Sequence, residues 1–284
     1  MSAVLEKRAA VLGLGIIGSR VCSRLLAAGW NVSCWNRTPK GLPGEAETAQ
    51  AAITSAAVIS IYLKDVPAVR EVFSTIASSL QPGQIVLNHA TIDLETTQWL
   101  ESNCIERGCR FLDAPFTGSK DASAGGQLFY YTGGDPKLAD ELESYFQIIG
   151  RGRLHCGDVG TATVLKLATN LISACTVQAM AESLAIATHH GVSADCLMKA
   201  VAENASGSKL TAMKFPLMVE GNYEPHFSLA NMGKDSHYML SLANSAGVKT
   251  PAIEAVSRRM DELCGEGLGD LDFSVLAKPY LKEA

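Results

Sequence analysis

The feature that most constrains this chain is a set of three glycines, at positions 13, 15 and 18, directly after the apolar run at 9–12. A helical pattern starts at about residue 16, so the glycines lie between a predicted strand and a predicted helix. In that setting Gly13 makes the tight turn, Gly15 lets phosphates approach the backbone, and Gly18 allows close packing of helix on strand. The pattern favours a dinucleotide-binding turn over an ordinary bend without a ligand. Two further candidate cofactor contacts stand at the helix start: Ile16 and Ile17.

The end of the second predicted strand bears on which dinucleotide is bound. It reads Cys-Trp-Asn-Arg-Thr and places Asn36, Arg37 and Thr38 eighteen to twenty residues after Gly18. NAD sites usually carry an acidic residue here, which would repel a 2′-phosphate. Arg37 can pair with such a phosphate through two hydrogen bonds, and the Thr38 hydroxyl can donate another. We therefore predict NADP(H) as the cofactor; the alternative is a solvated turn with an arginine on its surface.

The arrangement of apolar segments predicts two domains. In the first half, short apolar runs alternate with helical stretches, which is typical of a parallel sheet covered on both faces. Beyond residue 156 there are helical patterns alone, and no glycine or proline interrupts 161–190. We predict an α/β Rossmann-type domain over 1–158 and an all-α domain over 159–284, joined by a long helix. The predicted strands are 9–12, 31–35, 58–63, 84–87 and 110–113, with 127–133 and 151–156 extending or closing the sheet.

Composition excludes several classes of protein. The 284 residues carry a formal net charge of −5 and no cluster of lysine and arginine, which argues against nucleic acid as a partner. No uninterrupted run approaches the ~18 apolar residues of a membrane span, and no cleavage site for a signal peptide stands out near the start. The eight cysteines form no C-x-x-C pair, and we predict reduced thiols, no metal site and a cytoplasmic protein.

The stretch at 112–128 is a candidate substrate site, because it follows the fifth predicted strand, where open α/β sheets place their ligand crevice. Pro115, Thr117, Gly118 and Ser119 form a small loop with hydroxyl groups and free backbone N–H groups, which suits a small carboxylate. A long surface loop without a ligand is an equally good reading of the composition.

Two pairs of residues could carry chemistry in the helical part. Lys166 and Asn170 are four apart and share one helix face. If that face borders the crevice, partial desolvation lowers the pKa of Lys166 towards a range useful for proton transfer. The alternative is a lysine that extends to water along an apolar face. Lys234 and Asp235, near the start of another helix, read by themselves as surface charges.

With these residues the chain resembles the β-hydroxyacid dehydrogenase family, which is 6-phosphogluconate dehydrogenase-like. The family includes 3-hydroxyisobutyrate dehydrogenase, tartronate semialdehyde reductase and the glyoxylate/succinic semialdehyde reductases. The motifs occur in order through nearly the whole chain: GLGIIG, NRT, ATID, DAPFTGSKDASAGGQL, the helix with Lys166 and Asn170, and MGKD. Within the family the chain is most similar to the glyoxylate/succinic semialdehyde reductase branch.

The resemblance implies roles for matching positions. Lys166 is implied to be the general acid that protonates the substrate carbonyl as hydride arrives, with Asn170 holding the substrate beside it. The substrate carboxylate is implied to bind at 117–119. The implied cofactor contacts outside the glycine turn and the NRT motif are Leu63, Thr91 and Lys234, with Asp235 supporting them.

Several departures from the family pattern leave the substrate open. Thr117 stands where serine is usual, Ala90 precedes Thr91 where serine is common, and His89 is unusual. The KDASAGG segment lacks the commoner proline, and the segment between 36 and 58 is short for the family. We expect an NADPH-dependent reductase of small carboxylated aldehydes such as glyoxylate and succinic semialdehyde. The alternatives are a 3-hydroxyisobutyrate or tartronate semialdehyde type of dehydrogenase, an imine reductase, and a non-catalytic NADP-binding scaffold.

The long helix also predicts assembly. It carries apolar residues around most of its girth, which indicates burial against more than one neighbour. We predict a homodimer or homotetramer.

Overall fold

The computed structural model describes residues 6–281 and divides into two compact units, Met1–Lys166 and Leu167–Ala284. The predicted domain boundary at 158 lies just before helix α8 (Thr161–His189), whereas the compact units divide inside that helix, after Lys166.

The first unit is built on one eight-stranded sheet, in the order β2-β1-β3-β4-β5-β7-β6, with β8 beside β7. Strands β1 to β5 are parallel, and β7 runs antiparallel to β5 and β6. This confirms the predicted Rossmann-like fold with a mostly parallel sheet. The strands are β1 (Arg8–Leu12), β2 (Asn31–Trp35), β3 (Val58–Ile61), β4 (Ile85–Asn88), β5 (Arg110–Asp113), β6 (Phe116–Thr117), β7 (Leu128–Gly133) and β8 (Gly150–Gly157).

Both faces of this sheet are buried, and alternate residues of each strand serve opposite cores. Along β1, Val11 packs into the core that contains residues of helix α1 (Gly18–Ala27), whereas Ala10 and Leu12 pack into the core that contains helix α3 (Val66–Ile76). Near-continuous apolar strands follow from this double burial. The helices are α1 (Gly18–Ala27), α2 (Ala49–Ile53), α3 (Val66–Ile76), α4 (Leu94–Glu106), α5 (Lys120–Ala124), α6 (Pro136–Glu141) and α7 (Glu143–Ile149).

Short polar signals begin several of these helices. The Asp65 carboxylate accepts a hydrogen bond from Ala68 N (2.9 Å) and begins α3, and Asp93 accepts from Thr96 N (2.7 Å) and begins α4. Helices α2, α5, α6 and α7 were not predicted. Each has seven residues or fewer, and so short a segment shows little helical periodicity.

The second unit is helical, as predicted. Its core collects apolar side chains from the greater part of α8 and from the helices that follow it. A buried ion pair joins Lys214 to Asp272, with Nζ at 2.6 and 2.8 Å from the two carboxylate oxygens, and Asp272 also accepts from Phe227 N. The other helices are α9 (Ala194–Ala202), α10 (Lys209–Glu220), α11 (Leu229–Ser245) and α12 (Pro251–Gly265), and a 3₁₀ helix spans Phe273–Ala277.

Helix α8 also bears on the expectation that no membrane span is present. Within residues 6–281 it is the one helix with the length and hydropathy of a span, because an 18-residue window reaches a mean hydropathy of 1.3. The core helix of a soluble protein passes the same test, so the observation is weak evidence for a membrane. The search for uninterrupted apolar runs missed this helix, because its apolar residues are interspersed with polar ones.

Candidate active site

The glycine turn after β1 has the packing that the motif predicts. Gly13 has φ +99°, and a Cβ on it would overlap the carbonyl of Tyr62, while a Cβ on Gly18 would overlap the carbonyl oxygen of Gly13. At Gly15, by contrast, no atom of the described residues lies within 4 Å of a Cβ position. The N-cap residue of α1, Ile17, supplies no side-chain acceptor. Open space beside uncapped N–H groups at a helix start fits the pyrophosphate of a dinucleotide.

Asn36 braces this turn from the end of β2. Its Oδ1 accepts a hydrogen bond from Leu14 N (2.9 Å), and its Nδ2 donates to the Thr38 carbonyl (2.8 Å). A carboxylate could accept the first of these bonds but could not donate the second. Asn36 was a candidate for its lack of charge alone, and this bracing role leaves no signal in the local sequence.

Arg37 lies on the surface beyond β2 and forms an ion pair with Glu71 of α3. The Nη2–Oε2 distance is 2.9 Å, and both side chains are about two-thirds exposed, at 68% and 64%. Thr38 is exposed beside it. Because exposed ion pairs contribute only ~0–1 kcal/mol, an incoming phosphate could replace Glu71 as the partner of Arg37.

Two predicted contacts lie at the ends of neighbouring strands. Leu63, just after β3, places its Cδ2 3.1 Å from the Cβ position of Gly13, so it packs against the glycine turn. Thr91 follows β4. The turn just before it is held by the Asn88 side chain, whose Nδ2 donates to the Ala90 carbonyl (3.2 Å) and whose Oδ1 accepts from Ala90 N (3.3 Å).

His89, the unusual residue of this segment, is buried at 1% exposure. Its Nδ1–H donates to the Ala114 carbonyl (2.7 Å), which leaves Nε2 to accept from the Ser60 hydroxyl (3.3 Å). The Ser60 oxygen in turn lies 2.7 Å from the Tyr145 hydroxyl, and the His89 ring stacks on Tyr62 with centroids 4.4 Å apart. Burial lowers the pKa of His89 from 6.5 to about 3, so the imidazole is neutral.

The predicted substrate loop is an ordered connection rather than a loose surface loop. Thr117 pairs with Phe129 in the short β6–β7 ladder, and Gly118 has φ +140° with its Cβ position 2.7 Å from the Leu128 side chain. Ser119 begins α5, because its Oγ accepts from Ala122 N (3.3 Å). Thr117 and Gly118 are exposed residues, so the surface here is open to a ligand.

Asp113, at the end of β5, anchors the first turn of α8. Its Oδ2 accepts hydrogen bonds from both the backbone N and the Oγ1 of Thr163, each 2.8 Å long. The Thr163 hydroxyl also lies 3.0 Å from that of Thr97 on α4. Burial raises the pKa of Asp113 to about 6, against these hydrogen bonds, which lower it. Lys166, half-buried, follows Thr163 by three residues, so this network holds the turn that carries it.

A second network lies in the helical unit. Asn170 donates from Nδ2 to Asp235 Oδ2 (2.7 Å), and Lys234 Nζ lies 2.8 Å from the other carboxylate oxygen. Asp235 is fully buried, and its charge is compensated by one amide hydrogen bond and one ion pair. The structure thus joins Asn170 to the adjacent residues Lys234 and Asp235, which lie more than 60 residues further along the chain. Asn170 stands one turn beyond Lys166 on α8.

Comparison with known proteins identifies the class to which these features belong. Residues 8–161 match the family described as the NAD binding domain of 6-phosphogluconate dehydrogenase. Residues 160–280 match the family described as NAD-binding of NADP-dependent 3-hydroxyisobutyrate dehydrogenase. The two matches define a dehydrogenase with a nicotinamide cofactor.

Among the individual relatives, two carry names of oxidoreductases and one is named as a nuclear factor. Glyoxylate/succinic semialdehyde reductase 1 of Arabidopsis thaliana is 29% identical over 93% of this chain and 95% of its own length. Cytokine-like nuclear factor N-PAC of Mus musculus is 28% identical over 97% of this chain, which spans about half, 51%, of that protein. The fold of Mycobacterium tuberculosis 3-hydroxyisobutyrate dehydrogenase superposes with a TM-score of 0.89 at 22% identity, over 95% of this chain and 98% of the other.

The chain belongs to the β-hydroxyacid dehydrogenase family of NAD(P)-dependent oxidoreductases, which confirms the predicted resemblance.

Proposed function

We propose that this protein is an NADPH-dependent reductase of small carboxylated aldehydes, such as glyoxylate and succinic semialdehyde. The observation that carries the proposal is the anchoring of α8 on both sides of Lys166. Asp113 holds Thr163 in the first turn, and Asp235 holds Asn170 one turn beyond the lysine. A general acid must be held in place to act, and these contacts fix the helix that bears it.

The proposed chemistry follows from the side chains present. When bound, the nicotinamide supplies the hydride. Lys166 donates a proton from its ammonium group to the carbonyl oxygen of the substrate, and in the reverse direction its neutral amine accepts that proton from the alcohol. Asn170 holds the substrate beside the lysine.

Recognition of the acid group is assigned to Thr117, Gly118 and Ser119. The Thr117 hydroxyl and the exposed backbone offer donors without a fixed positive charge, and the short strand and helix around them limit their movement. Donors that are ordered before binding lose less entropy when they bind a carboxylate.

The preference for NADPH is assigned to Arg37 and Thr38. The region beyond β2 presents an exposed arginine whose partner is exchangeable, and Asn36 introduces no negative charge beside it. Leu63, Thr91 and Lys234 are the remaining proposed cofactor contacts.

The test is the loss of NADPH absorbance against glyoxylate, succinic semialdehyde, tartronate semialdehyde, methylmalonate semialdehyde and a cyclic imine, with NADH in parallel. Turnover of an aldehyde acid with NADPH preferred supports the proposal. The best substrate then distinguishes a glyoxylate/succinic semialdehyde reductase from a dehydrogenase of the 3-hydroxyisobutyrate or tartronate semialdehyde type. Turnover of the imine alone favours imine reduction. NADPH binding without any turnover favours a non-catalytic scaffold.

We further propose a homodimer or homotetramer that works in the cytoplasm. Support for assembly comes from Ile172 and Ile186 on α8, which are 64% and 63% exposed in the single chain. Support for a reducing compartment comes from the eight cysteines, all of which lie in the described part of the chain as free thiols.

A further inference from the structure

Arg24 occupies an unusual place in the last turn of α1, the helix that starts at the dinucleotide turn. Its Nε donates to the carbonyl of Ile148 (2.6 Å), and its Nη1 donates to the carbonyl of Ala124 (3.2 Å). Ala124 is the last residue of α5 and Ile148 lies in the last turn of α7. One guanidinium therefore satisfies carbonyl groups at the ends of two other helices, where partial negative charge accumulates.

The connection between β6 and β7 begins with the proposed carboxylate site at 117–119. The hydrogen bond from Arg24 reaches the same connection further along, at Ala124. The two ends of the connection pair with each other through Thr117 and Phe129. Between them, Ser119 begins α5 and Ala124 ends it, so a contact at Ala124 restrains a single short helix that starts at the substrate residues.

Gly126 packs directly against the Arg24 side chain. It has φ +65°, and a Cβ on it would overlap the guanidinium of Arg24. The two glycines directly after α5, Gly125 and Gly126, thus leave room for the side chain that crosses from α1.

We propose that Arg24 is a positioning residue that fixes the substrate loop to the cofactor-binding helix. It acts through α5 and touches neither the proposed substrate site nor the dinucleotide turn. This inference rests on the proposed function of residues 117–119 as the carboxylate site. The consequence is specific: loss of the contact weakens substrate binding, because the loop must then be ordered when the substrate binds, and leaves binding of the dinucleotide unchanged.

The test compares Arg24→Gln with a matched control, Arg107→Gln. Arg107 is also half-buried and also donates to two helix carbonyls, those of Ala77 and Asn103, at 3.0 and 2.7 Å. We expect Arg24→Gln to raise KM for the aldehyde acid by about tenfold, the scale of a charge-assisted hydrogen bond, with kcat and the Kd of NADPH within about twofold of wild type. Arg107→Gln is expected to leave KM unchanged, and Arg24→Lys to recover part of the loss.

A second variant, paired with its own control, displaces the Arg24 side chain without removing it. Gly126→Ala introduces a Cβ against the guanidinium, whereas Gly29→Ala places the same change at φ +76°, where no described atom lies within 4 Å. Both carry the strain of a left-handed backbone, so the difference between them reports the displacement of Arg24. We expect a raised KM for Gly126→Ala alone.

Hydrogen exchange by mass spectrometry gives a readout that needs no substrate. We expect faster exchange over 119–127 in Arg24→Gln and Gly126→Ala than in the wild type and in the two controls, at an unchanged melting temperature of the cooperative transition. Exchange and KM at control values in both variants would overturn the inference. A wild type that turns over no aldehyde acid would instead overturn the proposed function, while the exchange result still tests Arg24.

Discussion

At the scale of single residues, Lys166 is the group on which the proposed chemistry depends. Lys166→Ala is expected to lower kcat/KM by about 10²–10⁴-fold, the usual contribution of a positioned proton donor, with little change in the Kd of NADPH. Steady-state kinetics and a fluorescence titration of NADPH measure the two quantities. Lys199→Ala is the control, because Lys199 is an exposed lysine whose ion pair with Asp195 lies on α9. Wild-type turnover in Lys166→Ala would remove the lysine from the mechanism.

Arg37 and Glu71 make a prediction about cofactor choice. Arg37→Ala is expected to weaken NADPH binding far more than NADH binding, since only NADPH has the 2′-phosphate. Glu71→Gln is expected to tighten NADPH binding by up to about fivefold and to leave NADH unchanged, because it frees the arginine from an exposed ion pair. Both are measured as Kd values by titration calorimetry. Glu95→Gln, which removes the ion pair of the half-buried Arg70 on the same helix, is the control. Equal effects on NADPH and NADH in Arg37→Ala would argue against a 2′-phosphate contact.

At the scale of elements, His89 links the segment after β4 to β3, to the chain after β5 and to α7 through Ser60, Ala114 and Tyr145. Its pKa is about 3 in the folded protein, against a value near 6.5 when unfolded, so the unfolded chain takes up a proton first as the pH falls. The stabilisation by neutral His89 is therefore complete above pH 6.5 and is lost progressively between pH 6.5 and about 3.

His89→Asn tests this link, because the amide can still donate to the Ala114 carbonyl but does not titrate. Between pH 7.5 and pH 5, urea unfolding of the wild type is expected to lose about 2 kcal/mol more than that of the variant. Subtracting the change in unfolding free energy of the variant from that of the wild type cancels the titration of groups that both proteins share. One such group is Asp113, whose raised pKa acts in the opposite direction. His155→Asn, at an exposed histidine of β8, is the control. Equal slopes in His89→Asn and wild type would contradict the assignment.

At the scale of the whole molecule, the prediction concerns assembly through α8. Ile172, Cys175, Ala179 and Ile186 follow one face of the helix at intervals of three, four and seven residues. The double variant Ile172→Lys with Ile186→Lys is expected to lower the mass at micromolar concentration to that of one chain, as measured by light scattering. Ile105→Lys is the control, since Ile105 of α4 is 63% exposed, like Ile186. A wild type with the mass of one chain would contradict the prediction.

Much of the fold followed from local patterns in the sequence. The apolar runs of β1 to β5 and the uninterrupted stretch of α8 can be read directly, because burial on both faces and helix continuity leave their mark residue by residue. The turn at Gly13, Gly15 and Gly18 follows for the same reason, since its chemistry is contained in six consecutive residues. Arg37, Thr38 and the loop at 117–119 could be assigned as candidates because they follow predicted strands.

What only the tertiary structure decided are the contacts between residues far apart in the chain. Asp113 meets Thr163 across 50 residues, Asn170 meets Asp235 across 65, and Arg24 reaches Ala124 across 100. No periodicity records such pairs, because a polar side chain has the same local sequence whether it faces water or a distant partner. His89 and Lys214 illustrate this, since both are polar residues that the fold buries with hydrogen-bonded partners. The sequence by itself determined the fold class, the glycine turn after β1 and the residue types available for the proposed chemistry. The tertiary structure decided which of them are held in place, because desolvation and pairing depend on neighbours that only folding brings together.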